Sequence, residues 1–225
     1  MPQNYSKLQD AQLSAIKTAT EANGKKPSLL LHACCAPCSS YVLELLSSFF
    51  DISIYYYNPN IYPEAEYTRR LSELETFLET TERSHFFEAQ PALIHTDYNP
   101  DDFFQATRVQ DEPELKTESE RGERCRRCYY FRMKKAYEYA AANGFDYFTT
   151  TLSISPFKDA EKINTIGRQL KDEIPSDVEY LYADFKKKNG FLRSLEISKE
   201  FGLYRQEYCG CIFSLQNGLI SRQTK

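Results

Sequence analysis

No apolar run in the 225 residues approaches the roughly 20 needed to cross a bilayer. The first stretch, Met1 to Lys26, is polar and lacks the apolar core of a signal peptide. Net charge is −4, so the global positive field of a nucleic-acid binder is missing. There is no internal repeat, no low-complexity tract, and no linker that would split the chain. No glycine-rich phosphate loop follows the first apolar segment. These absences argue against a membrane partner and a secreted chain. They lead us to expect a cytoplasmic protein whose thiols stay reduced.

What the chain does have is grouped sulfur. Hydrophobic residues make up 41% and charged residues 27%, the balance of a globular protein. The seven cysteines fall into three clusters: Cys34/Cys35/Cys38, Cys125/Cys128 and Cys209/Cys211. In a reducing compartment such clusters point to metal or redox chemistry, with scattered buried thiols as the plain alternative.

Residues 28–33 read as a short buried strand that ends in Cys34, Cys35 and Cys38. Tyr41, Val42, Leu45, Leu46 and Phe49 continue at helical spacing over 38–48. Further strands are expected at 52–57, 92–96, 145–151 and 178–182. Helices are expected at 5–23, 64–81, 125–143 and 159–171 and near 194–203, with 97–106 a loop passing into a helix. Residues 110–124, acidic and poor in apolar groups, read as a mobile excursion, and 152–158 as a loop. The alternation predicts an α/β fold, a parallel sheet with helices on both faces. We expect one metal-binding domain over 1–225, with an N-terminal helical segment at 1–27 and a C-terminal extension at 184–225 carrying the Cys209/Cys211 pair. Open α/β sheets bind ligands beyond the carboxyl ends of their strands. Here the first strand delivers thiols to that place.

Cys125 and Cys128 stand one helical turn apart at a helix start. That spacing recurs in zinc and iron–sulfur sites, and a helix N-terminus lowers thiol pKa and favours ligation. Adjacent Cys34 and Cys35 suit a cluster with several iron corners better than one tetrahedral zinc. These four thiols match the complement of a [4Fe–4S] cluster. Cys38 reads as a small buried residue of the first helical turn or as a further thiol ligand. A disulfide closed over Gly210 alone would be strained and reducible, so Cys209 and Cys211 read as a redox pair. The same two thiols could instead hold a metal ion. His32 reads as a strand residue lining the site.

Six motifs carry a family resemblance. They are Leu31-His-Ala-Cys-Cys-Ala-Pro-Cys38, Tyr57-Asn-Pro-Asn-Ile61, Cys125-Arg-Arg-Cys-Tyr129, Thr149-Thr-Thr-Leu-Ser-Ile-Ser-Pro-Phe-Lys158, Asp184-Phe-Lys-Lys187 and Tyr204-Arg-Gln-Glu-Tyr-Cys-Gly-Cys211. Together, and in this order, they resemble the QueH-type epoxyqueuosine reductases from about residue 28 to about residue 215. The resemblance implies reduction of epoxyqueuosine to queuosine at the wobble position of tRNA, the last step of queuosine synthesis. It implies a [4Fe–4S] cluster, a second mononuclear iron beside it and no cobalamin. The implied cluster ligands are Cys34, Cys35, Cys125 and Cys128, and the implied redox-active, catalytic pair is Cys209 and Cys211. Cys38 occupies a position the family fills with Asp or Cys. All seven cysteines are therefore candidate metal ligands. The implied fold resembles that of the adenine-nucleotide alpha hydrolases, with cysteines where those proteins bind phosphate. The implied partners are a tRNA anticodon loop carrying epoxyqueuosine and an electron donor that the sequence does not identify.

An RNA substrate changes the weight of the basic runs. Arg124, Arg126, Arg127 and Arg132, interleaved with Tyr129, Tyr130 and Phe131, are expected to meet phosphates and bases. Lys186, Lys187, Lys188 and Arg205 form a second basic group. The plain alternative is a solvated helix face, or arginines paired with Glu118, Glu120 and Glu123. Asp97, Tyr56 and Tyr62 are candidate acids for the epoxide oxygen. Two other readings compete: a zinc-binding, non-enzymatic RNA-interaction protein, and a thiol–disulfide oxidoreductase working through Cys209 and Cys211 alone. The first fits the adjacent Cys34 and Cys35 poorly, and the second leaves five clustered cysteines unused.

Overall fold

The computed structural model describes residues 3–216, so 217–225 of the expected C-terminal extension lie outside the described residues. The first half of the chain runs α1 (Tyr5–Asn23), β1 (Ser28–His32), α2 (Ala36–Leu46), β2 (Asp51–Tyr56), α3 (Glu64–Arg83), β3 (Ala92–His95) and α4 (Pro100–Thr107). The second half runs α5 (Glu114–Thr117), α6 (Glu123–Ala142), β4 (Tyr147–Thr150), α7 (Ala160–Glu173), β5 (Glu179–Tyr180) and α8 (Gly190–Glu200). The five strands form one sheet in the order β3-β2-β1-β4-β5, and every pair is parallel. This is the expected α/β architecture.

Strand β1 is central because it is apolar on both sides. Leu29 and Leu31 join one core with Ile52, Ile54, Val42, Leu46, Leu74, Phe77 and Ile197. Leu30 joins the other with Tyr55, Phe148, Met133, Tyr137, Ile163 and Leu170. Alternate strand residues point to opposite faces, so α1, α2, α3 and α8 cover one side and α6 and α7 the other. A doubly covered parallel strand needs such a continuous apolar run. All five strands point their carboxyl ends at one edge, where the polypeptide next turns into residues 33–35, 57–60, 151–158 and 181–188.

Helix ends follow local chemistry. Asn4 caps α1 by accepting from the Lys7 amide at 3.1 Å, and Gly24 closes it at a φ of 69°. Asp159 caps α7 by accepting from Glu161 and Lys162 amides. Pro37 sits in the first turn of α2, where the missing N–H costs nothing.

Three expectations change. Residues 110–124 are not a loose excursion: they include α5, bury Leu115, and end in an acidic cap for α6. The stretch after β4 is not open loop throughout, since Thr151–Ile154 form a 3-10 turn whose start is capped by Thr150. The fifth strand keeps only Glu179 and Tyr180 of the expected 178–182.

Candidate metal centre

The sheet edge gathers the three cysteine clusters. Cys35 is the extended N-cap residue of α2, with φ −177° and ψ 160°, and Cys38 follows in the first turn. The Sγ atoms of Cys34, Cys35 and Cys38 all lie within 4.8 Å of one another, with Cys34 and Cys35 3.9 Å apart. Cys125 and Cys128 lie in the first turns of α6. That helix begins at Gly122, and the Glu118 carboxylate accepts from the amides of Glu123 at 2.7 Å and Arg124 at 2.8 Å. A Cβ at Gly122 would meet the Glu118 carboxylate at 2.1 Å, so the cap requires glycine there. Cys209 and Cys211 flank Gly210, whose φ of 123° favours glycine and whose added Cβ would lie 3.1 Å from Arg70 and Ile61.

Several groups hold that last loop in place. Arg70, buried on α3 and paired with Glu66 at 2.7 Å, donates to the carbonyls of Cys209 and Tyr208. The Tyr62 amide donates to the Gly210 carbonyl at 2.8 Å. The Cys209 amide donates to Ser214 Oγ, which in turn donates to Glu120. Lys158 Nζ reaches Cys209 Sγ at 3.6 Å.

Charge at the site is shared among thiols and cations. Hydrogen bonds from the Cys35 and Cys38 thiols pull Cys34 well below the usual thiol range. The Cys211 thiol and then Lys158 do the same for Cys209 against the cost of burial. Their donors move the other way: burial and Cys34 push Cys35 up to about 12, and the bonds to Cys34 and Cys35 raise Cys38. Cys125 and Cys128 are raised, Cys128 to about 12, because burial outweighs the helix N-terminus expected to lower them. For Lys158, burial opposes the charge, but its neighbours Cys209, Tyr129, Cys34 and Cys38 raise its pKa and keep it protonated. Arg132 stays charged against burial through Cys128, Cys34 and Cys209. One pair of cations thus faces thiols from all three clusters.

A cavity of about 500 Å³ opens beside the thiols. Its walls include Cys34, Cys38, Cys209, Lys158, Phe191 and Gln206. Gln206 Nε2 lies 3.0 Å from Cys35 Sγ and 3.8 Å from Cys38 Sγ, while its buried Oε1 has no partner among the described residues. Arg132 Nε is also buried without a partner. All seven cysteines are free. This donor set, rich in thiols and short of partners for two buried polar atoms, fits a thiolate-bound metal centre. Sequence reasoning missed Arg70, Lys158, Gln206 and Ser214. Arg70 carried a signal: it falls on the core face of α3, between Tyr67 and Leu74, where a charge must have a partner.

The expected RNA-facing arginines behave differently. Arg132 is 3% exposed and donates to Asn58 Oδ1 and to Asn60 Oδ1 at 2.7 Å, so it organises the Asn58-Pro59-Asn60 turn. Arg124 is 1% exposed and binds the carbonyls of Leu115 and Glu118. Arg126 and Arg127 pair with Glu123, and Arg127 also with Glu112. Lys186 pairs with Asp184 and Lys188 with Asp10, and Arg205 donates to Ser198 Oγ. A buried arginine cannot meet a phosphate, so Arg124 and Arg132 leave the RNA set. Glu118 accepts backbone amides and Glu120 accepts from Ser214; Glu123 alone of the three expected acids pairs with these arginines.

None of the three candidate acids lines the cavity. Tyr56 is buried with its hydroxyl given to the Tyr67 carbonyl, Tyr62 is 44% exposed, and Asp97 is exposed. His32 is buried between Thr150 Oγ1 at 2.8 Å and the Tyr57 carbonyl. Burial drops its pKa to about 3, so the ring is neutral and acts as a structural bridge.

Comparison with known proteins shows the family. The family model described as "Epoxyqueuosine reductase QueH" matches residues 29–217. The epoxyqueuosine reductase QueH of Staphylococcus epidermidis is 37% identical over 221 residues, covering 98% of this chain and 88% of that protein. Its counterpart in Acinetobacter baylyi is 40% identical, covering 84% and 81%, and that in Thermotoga maritima 32%, covering 84% and 90%. The match takes in every cysteine of the cavity, and the chain belongs to the epoxyqueuosine reductase QueH family.

Proposed function

We propose that this chain reduces epoxyqueuosine, carried at the wobble position of a tRNA anticodon loop, to queuosine. The observation that carries the reading is the gathering of three clusters of free thiols at the carboxyl edge of the sheet, with Cys34, Cys38 and Cys209 on the wall of one cavity. In this reading Cys34, Cys35, Cys125 and Cys128 hold a [4Fe–4S] cluster, and Cys38 stands with the candidate ligands of a second iron. Cys209 and Cys211 are the redox-active pair. Bound there, an iron–sulfur centre supplies electrons one at a time and an iron with an open position polarises an oxygen.

Turning the epoxide into an alkene removes its oxygen as water and consumes two electrons and two protons. The chain's own groups serve the proton and orientation side. The Lys158 ammonium carries protons at Nζ on the cavity wall beside Cys209. The apolar rings and side chains of Phe191, Ile154 and Pro37 shape the entrance and displace water from it. An external electron donor completes the balance.

The test is anaerobic. The purified chain should be brown, contain iron and acid-labile sulfide, and convert epoxyqueuosine in tRNA to queuosine when supplied with a chemical reductant. Alanine at Cys34, Cys35, Cys125 or Cys128 should remove sulfide and colour together. Colourless protein containing zinc would favour the non-enzymatic reading, for which the compact Cys34/Cys35/Cys38 group offers three ligands to one ion.

A further inference from the structure

We propose that Phe157 is a stacking platform for one unpaired nucleobase of the RNA, the base flanking the nucleotide that enters the cavity; this rests on the tRNA reading above. Phe157 is 69% exposed, more than any other large hydrophobic side chain described. A lone exposed apolar residue is ordinary and calls for no explanation. This one differs in place and in support.

It stands at the mouth of the cavity, one residue before Lys158, whose ammonium turns inward to Cys209. Its backbone is clamped. Arg121 donates through Nε to the Phe157 carbonyl at 2.9 Å and through Nη2 to the Pro156 carbonyl at 2.7 Å. The Phe157 amide donates to Ser155 Oγ at 3.3 Å, and the Lys158 amide closes the turn on the Ser155 carbonyl. Lys162 Nζ in turn donates to the Arg121 carbonyl. No other ring stacks on Phe157 among the described residues, so the clamp holds an aromatic face toward open solvent. A clamped backbone leaves only the side-chain torsions of the ring to be ordered when a base covers it.

The tRNA reading makes a nucleobase the occupant. Arg121 and Lys162, the latter 3.7 Å from Asp159, stand at the foot of the ring, and the cavity wall below carries Lys158 and Arg205 together with Glu120 and Glu207. Aromatic faces beside cations recognise splayed bases of single-stranded loops.

The chain contains no tryptophan. Phe157→Trp therefore carries the sole indole of the protein, and stacking against a base quenches its emission. The probe is an anticodon stem–loop RNA, with the same stem closed by an abasic loop as the control. Quenching by the first and not by the second is the expected result. Phe157→Ala should bind the intact hairpin about 5- to 150-fold more weakly, with the salt slope unchanged, because a stacked base and not a phosphate contact is lost. Phe157→Tyr should bind as the unmodified chain does.

Unchanged indole emission on a bound hairpin, equal affinity for Phe157→Ala, or no hairpin binding at all would each overturn the proposal. The reduction assay on epoxyqueuosine-bearing tRNA is run separately on the unmodified chain. Reduction without quenching removes the platform and leaves the function. Quenching without reduction removes the function and leaves the platform.

Discussion

In the proposed reading Cys209 and Cys211 are a redox pair separate from the four cluster ligands. Alanine at either should leave iron and sulfide at the unmodified complement and abolish epoxide reduction. Iron and sulfide analysis beside the tRNA assay checks this, and loss of the cluster in either variant would make the pair part of its ligand set. Arg132 makes a different kind of demand. It is a buried cation between the Asn58 and Asn60 side chains and the thiols. Arg132→Ala strips those acceptors of their donor and should cost about 3 kcal/mol in denaturant unfolding. The salt dependence of tRNA binding should not change, the reverse of what a surface phosphate contact gives. That contrast explains a misreading of the sequence. Spacing shows that Arg124, Arg126, Arg127 and Arg132 lie in one basic segment and offers Glu123 as a partner, but it does not show that Asn58, Asn60, Leu115 and Glu112 come to meet them.

The elements most legible in the sequence were those with local causes. β1 announced itself by an apolar run ending in thiols, and α3 and α6 by helical spacing and their end signals. What stayed hidden was supplied across long separations. The cap of α6 comes from Glu118, in the acidic segment that the sequence marks as a mobile excursion. The clamp on the Cys209 loop comes from Arg70, 139 positions away in the chain. Helix α8 gives a test of such tertiary fit. It packs on α2, and an added Cβ at Gly190 would lie 2.0 Å from the Phe185 carbonyl oxygen and 2.4 Å from the Tyr41 ring. The oxygen belongs to backbone and cannot swing aside. Gly190→Ala should therefore destabilise the chain by about 1–3 kcal/mol in urea unfolding. A stability equal to the unmodified chain would mean that α8 can slide on α2 at little cost.

At the scale of the whole molecule, three distant stretches of chain bring the thiols to the sheet edge: 34–38, 125–128 and 209–211, the first and last of them also lining the cavity. In the proposed reading a metal centre held by Cys34, Cys35, Cys125 and Cys128 links the first two stretches and is absent from the unfolded chain. Stripping it with a chelator should lower the melting temperature by roughly 5–10 °C, the effect of a ligand present at about a hundred times its dissociation constant. Identical melting before and after metal removal would detach the centre from the fold. The walls also have an order in time. Residues 33–38 and the start of α6 are synthesised well before 204–216, the stretch that crosses the cavity and brings Gln206, Cys209 and Ser214 to it. Until that stretch emerges, five of the seven thiols face an edge with no roof. A group that binds these thiols meets an open bench on the growing chain, whereas on the finished chain it must enter through a doorway.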